Sequence, residues 1–248
     1  MKIGKILLPL LPLVAVVAAA EYASQKGLVP AYLLPAPSQI LGAVRDDPQS
    51  FKSAFLETVF ASSLGLLLSM VIGLSFALLL SFSTLVRAMF FPYAIFFQTV
   101  PIIAIAPLLV IWLGYGLPTV VASAFIVSVF PVIANSVLGL LGTDPLFLNL
   151  FRMMGASPVQ TLFKLRLPAA LPQVLGGFKI AAGLAVIGTI VGEFISGSGL
   201  GGIVDTARNQ QRIDRVFAAV LLASILGILF FAVISGLNRL LLNHWEES

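Results

Sequence analysis

The chain has 248 residues, of which 59% are hydrophobic and only 10% charged, and its mean hydropathy is +1.09. That is too little polar side chain to cover a water-soluble body of this size, so the chain belongs in a bilayer. Its net charge of +4 places basic residues beside apolar runs, where they meet anionic lipid headgroups rather than nucleic acid, and with no cysteine and one histidine, His244, it offers neither disulfides nor an imidazole metal centre.

Residues 58–86, 88–143 and 216–238 contain no Asp, Glu, Lys or Arg, and a helix needs about 20 apolar residues to cross the hydrocarbon core. We read six spans, at about 6–23, 56–81, 88–112, 118–141, 174–196 and 216–241, in one transmembrane unit over 1–248 with its core at 56–241 and the loop 142–173 outside the membrane. The first run, MKIGKILLPLLPLVAVVAAAE, has a basic start, an apolar middle and a small-residue end, which is also how a cleavable secretory signal reads. The apolar stretch from Ile6 to Ala20 favours a retained span. The linker 24–55, with Pro30, Pro35 and Pro37 before RDDPQSFK, reads as an extended solvent-facing loop.

Pro92, Pro101 and Pro107 predict a kinked or broken third span, a feature tolerated at membrane depth where backbone lines a cavity. LGYGLP, 113–118, makes the turn into the fourth span. The fifth span is narrow, with Gly176, Gly177, Ala181, Gly183, Gly188 and Gly192, so another helix can approach it closely. A Gly-rich turn and the polar run DTARNQQRIDR follow at 197–215. Lys and Arg lie in modest excess on the side that holds both termini, which the positive-inside rule makes cytoplasmic.

The loop 142–173 is the informative segment. Thr143-Asp144-Pro145 offers an N-cap with proline at the first helical position. A helix through LFLNLFRMM then stops at Gly155, where a left-handed residue is wanted. Ser157-Pro158 with Gln160 forms a capping box for a second helix over 158–165, and Pro168 and Pro172 are expected to end it. Val159, Leu162 and Phe163 share its apolar face, opposite Gln160 and Lys164. The product is a short, stiff, partly basic knob outside the membrane, too apolar in its first helix to face water.

Gly155, nine residues, Leu165, one residue, then Leu167-Pro168 resembles the cytoplasmic signature loop of permease subunits in binding-protein-dependent ABC importers. That loop reads Glu-Ala-Ala, three residues, Gly, nine residues, Ile, one residue, Leu-Pro. IAIAPLLVIWLGYG, GEFISGSGLGG and NRLLLNHW extend the likeness over most of the chain after residue 58, and it looks like the branch handling nitrate, sulfonates, taurine and thiamine-pyrimidine precursors. Asn149-Leu150-Phe151 stands where the family has Glu-Ala-Ala, which implies a docking surface matched to its own partner.

The resemblance implies an all-α, type I importer-like permease of the bacterial inner membrane, with both termini cytoplasmic. It implies two ATP-binding subunits, an extracytoplasmic binding protein and a second copy of the chain as partners, in contact with lipid. ATP would be bound by the partner, because this chain has no phosphate-binding Gly-Lys loop and thus no cofactor or catalytic residue of its own. Arg152, Gly155, Ala156, Ser157, Gln160, Phe163, Leu167 and Pro168 are the expected ATPase-coupling residues. Gln98, Thr99, Asn135 and Glu193 are the polar candidates for the translocation path, against the alternative that they bond between helices or, for Glu193, sit at the interface. An ion-driven transporter would show internal repeats and more buried ionisable groups, and a membrane enzyme would need a catalytic cluster. Neither pattern is found in the sequence.

Overall fold

In the computed structural model, residues 10–30 and 32–246 are described. They form α1 (Leu10–Gln25), α2 (Pro37–Asp46), α3 (Pro48–Phe82), α4 (Thr84–Thr99), α5 (Ile102–Leu113), α6 (Leu117–Leu141), α7 (Pro145–Met153), α8 (Pro158–Thr161), a π-helical turn over Leu162–Arg166, α9 (Leu167–Ser196), α10 (Gly199–Asn209) and α11 (Ile213–Glu246). Among the described residues four helical stretches are long and apolar enough to cross a bilayer, at Pro48–Phe82, Leu117–Leu141, Pro158–Ser196 and Ile213–Leu240. The expected first span is represented by α1, its residues 6–9 lying outside the described part. The expected third span is two short helices, α4 and α5, because Val100 and Pro101 adopt extended backbone between them. Pro92 and Pro107 sit inside those helices without breaking them.

α9 packs most extensively on α6, and α6 in turn on α3. Small residues make that approach possible: a Cβ on Gly188 would lie 2.6 Å from the Ser123 carbonyl, and one on Gly177 would lie 2.9 Å from the Pro131 carbonyl. Hydroxyls then pair across the seams, Ser62 with Thr189 at 3.0 Å and Ser69 with Ser128 at 2.7 Å. The apolar core runs along these helices, from Ala77, Leu80, Val137, Leu140 and Leu162 at one end, through Leu66, Val132, Ala181 and Ala185, to Ile40, Phe51, Ala54, Leu200 and Ala219 at the other.

Two expected loops prove helical. The 24–55 linker contains α2 and the first turns of α3. Pro37 and Pro48 are helix starters, placed where a missing N–H costs nothing. Gln39 Oε1 accepts from Ala36 N at 3.0 Å and Asp47 Oδ1 from Ser50 N at 3.2 Å, while Ile40 and Phe51 bury themselves against α10 and α11. The expected Gly-rich turn, from Gly199 on, is instead the helix α10, which takes in the polar run as far as Asn209. Its Leu200 and Ala207 are buried against neighbouring helices, a tertiary gain that outweighs poor local propensity. Arg215 Nη2 bonds Asp47 Oδ2 at 2.8 Å and ties the start of α11 to the start of α3.

Candidate coupling loop and translocation path

The 142–173 loop builds a protruding knob from local chemistry. Asp144 Oδ1 accepts from Leu146 N at 2.8 Å and starts α7. Gly155 ends that segment with φ of +70°, a left-handed conformation that strains any residue with a Cβ, and Gly155 N and Ala156 N donate to the Arg152 and Phe151 carbonyls at 3.0 Å each. Ser157 Oγ accepts from Gln160 N at 3.2 Å, and Gln160 Oε1 accepts from Ser157 N at 2.9 Å, the reciprocal capping box read from the sequence.

Beyond Thr161 the structure departs from expectation. Pro168 and Pro172 do not end the second helix. The π-helical turn, in which Leu167 N–H donates to the Leu162 carbonyl, widens the backbone just before Pro168, so the proline ring passes the preceding turn and the helix continues into α9. Knob and span are one helical rod, Pro158–Ser196. The shared face of Val159, Leu162 and Phe163 is also divided: Leu162 is 2% exposed in the core, whereas Val159 and Phe163 are each 54% exposed. The helix lies at the edge of the bundle, and only one of its edges meets α3 and α6.

The knob's surface is apolar and open. Leu146, Met153 and Met154 are 75%, 87% and 73% exposed, joined by Phe147, Leu150, Val159 and Phe163. Arg152 and Ala156 line a groove of about 200 Å³ together with Ser81 and Phe82 from the end of α3, Thr161 and Arg166. Arg166 reaches the Ser81 carbonyl at 3.4 Å, and its buried Nε has no partner among the described residues. Ser157 and Gln160 are exposed, while Leu167 and Pro168 are half-buried at the start of α9. The α3 wall of this groove carried no signal in the sequence, since Ser81 and Phe82 lie far from the loop along the chain.

The knob thus joins an exposed apolar surface to a helix long and apolar enough to cross a bilayer. The family model for the inner membrane component of binding-protein-dependent transport systems matches residues 65–245. The chain belongs to this family. It is 38% identical over 213 residues to the formylaminopyrimidine transport permease protein ThiX of Halalkalibacterium halodurans, covering 85% of each chain. It is 36% identical over 237 residues to a probable ABC transporter permease protein of Haemophilus influenzae, covering 95% of this chain and 97% of that one. In fold it resembles a chain of the MetNI methionine ABC transporter, solved in inward-facing conformations, with TM-score 0.68 at 20% identity over 78% of this chain and 97% of the other. This is an ABC importer permease subunit of type I fold, the transmembrane translocation component.

Within the permease the four polar candidates do not converge. Glu193 lies at the end of α9 remote from the knob and is 1% exposed. Its Oε2 accepts from Thr58 Oγ1 at 2.9 Å and from Gly201 N at 3.0 Å. Thr58 Oγ1 also accepts from Leu200 N, and Glu57 Oε2 from Gly199 N, both at 3.0 Å. Three first-turn N–H groups of α10 are thus capped by residues of α3 and α9, and a Cβ on Gly201 would collide with the Ile190 carbonyl. Glu57 and Thr58 were missed in the sequence reading because nothing local marks a cap supplied from 142 residues away.

Asn135 is half-buried on α6 and donates from Nδ2 to the Pro131 carbonyl at 2.9 Å. Gln98 and Thr99 are exposed at the end of α4, where Thr99 Oγ1 donates to the Phe96 carbonyl at 2.8 Å. Lys179, inside α9, holds its ammonium 5.6 Å from the centre of the Phe231 ring, a cation–π contact. Among the described residues no cluster of His, Asp or Glu could hold a metal ion.

Proposed function

We propose that this permease forms half of the path of an ATP-driven importer, receiving its solute from an extracytoplasmic binding protein and working as a two-fold dimer on two ATP-binding subunits. The observation that carries the reading is the capped, exposed knob continuous with α9. A helical rod transmits displacement without slack, so a shift of the knob in a cleft of the ATP-binding subunit moves the far end of the span. Arg152, Gly155, Ala156, Ser157, Gln160, Phe163, Leu167 and Pro168 form or brace that contact. Asn149, exposed where the family carries a carboxylate, narrows the choice of ATPase.

In this reading the knob and both termini are cytoplasmic and α10 faces the outside. The solute is of the pyrimidine class named for the relative ThiX, which is 38% identical to this chain over 213 residues. ATP hydrolysis takes place in the partner. The test is purification from the host inner membrane in mild detergent, followed by mass spectrometry. An ATP-binding subunit in equal copy number is expected; a chain that purifies alone and accumulates solute on an ion gradient would overturn the reading.

A further inference from the structure

The break between α4 and α5 marks a face that cannot meet lipid. At about 1.5 Å per residue, α4 and α5, with 16 and 12 residues, span roughly 24 and 18 Å, so neither crosses the hydrocarbon core alone. α4 starts beside the knob, where α3 ends, so Val100 and Pro101 lie well within the bilayer. The Pro101 carbonyl still accepts from Ala104 N at 2.9 Å, but the extended backbone at Val100 interrupts the helical hydrogen bonding, and such backbone persists at depth only where protein or water covers it.

Next to this break is a groove of about 390 Å³ between α3, α4 and α6, with Phe76, Phe90, Tyr93, Phe125 and Phe130 in its walls. Its one side-chain amide is Gln98, which makes no side-chain hydrogen bond to another described residue. An acyl chain would leave that amide unpaired, at a cost. A planar nitrogen heterocycle would not: aromatic walls stack on its faces, and a carboxamide matches an amino group beside a ring nitrogen as a donor and acceptor pair, as Gln does with adenine. The volume falls within the usual range for small-molecule sites.

We infer that this groove is a solute site at membrane depth for an aminopyrimidine, held by stacking between Phe90, Tyr93 and Phe130 and read by Gln98. The inference rests on the importer reading and deepens it, since a groove on the outside of one subunit lines the route once a second copy closes over it.

The test is saturation-transfer NMR on the complex purified from its host membrane into nanodiscs, with 4-aminopyrimidine as probe and taurine as comparison. The ring protons of 4-aminopyrimidine should receive saturation and taurine should not, and Gln98→Leu should raise the Kd at least about tenfold through loss of the paired hydrogen bonds. Where Gln98→Leu does not accumulate, Gln98→Asn, shorter by one methylene group, carries the same expectation. No saturation in the unsubstituted protein, or an unchanged Kd in the variant, overturns the assignment. A Gln98→Leu protein that turns monomeric in native mass spectrometry assigns the groove to the second copy instead and overturns it too. An ATP-binding subunit that co-purifies while 4-aminopyrimidine fails to bind removes the groove site alone; a chain that purifies without one removes the importer reading.

Discussion

The two ends of the rod Pro158–Ser196 start helices in opposite ways. At the knob, α8 is capped by its own neighbours, Ser157 and Gln160, three residues apart. At the far end, α10 is capped by Glu57, Thr58 and Glu193, of which the first two come from another span. A locally capped element keeps its shape while its outer surface stays free. An element capped from elsewhere is fixed relative to the rest of the bundle, and motion of α9 is then felt directly by α3 and α10.

The contrast can be broken at each end. The largest effect is expected from Glu193→Leu, which leaves Gly201 N–H without its buried acceptor and the Thr58 hydroxyl with the Ala54 carbonyl, at 3.0 Å, as its remaining one. We expect a loss of up to about 3 kcal/mol, the upper end for one unpaired buried group, seen as a lower thermal midpoint in detergent. Glu193→Gln keeps an acceptor and should lose much less; equal losses for the two would show that charge rather than hydrogen bonding matters there.

Next comes Gly155→Val. A β-branched residue at φ of +70° costs roughly 1–3 kcal/mol of backbone strain and turns α7 relative to α8. The permease should still reach the membrane, while ATP hydrolysis in the purified complex loses its link to uptake. Tight coupling in this variant would remove the angle set by Gly155 from the mechanism.

Ser157→Ala sharpens the same end with a smaller change. Loss of the N-cap costs about 1 kcal/mol, confined to the knob, so hydrogen exchange should quicken at the Gln160 amide and stay unchanged in α10. Faster exchange spreading to α10 would contradict the claim that the knob's caps are purely local.

The smallest effect is in pH. Arg215, bonded to Asp47, holds the Asp47 carboxyl below the usual carboxylate range, helped by the Ser50 amide. A depressed pKa adds stability that is complete above the unfolded value, near 3.9, and is lost as pH falls through the lower folded value. Because the pair is only half-buried and still meets solvent, the gain is slight. Exchange at the Ser50 amide should rise as pH falls below about 4, after correction for intrinsic rates, and Asp47→Asn should remove that dependence.

Structure is most legible in the sequence where its cause is local. Asp144, Gly155, Ser157 and Gln160 announce caps and a turn within four residues of their partners, so the knob could be drawn residue by residue. The long spans followed from charge-free runs, and the break near Pro101 from its proline. Pro37, Pro48, Pro168 and Pro172 are ambiguous in the sequence for one reason: proline marks a helix start as readily as an end, and only the neighbouring contacts, or the π-helical turn before Pro168, decide which. Glu193 could be noticed as a carboxylate among apolar residues, but its partners Thr58 and Gly201 could not, since a buried hydrogen bond between separate spans leaves no periodicity behind.

By itself, then, the sequence determined that this chain lives in a membrane, where its long spans run, and that a capped knob with the importer signature stands outside them. Those properties depend on hydrophobicity and short-range hydrogen bonding, which act over one or two turns of chain. The tertiary structure alone decided that the knob and α9 are a single rod, that α2 and α10 are helices, and that Glu193 caps α10 instead of facing water. Each of these depends on surfaces brought together from distant parts of the chain, where burial and close helix approach override what the local residues prefer.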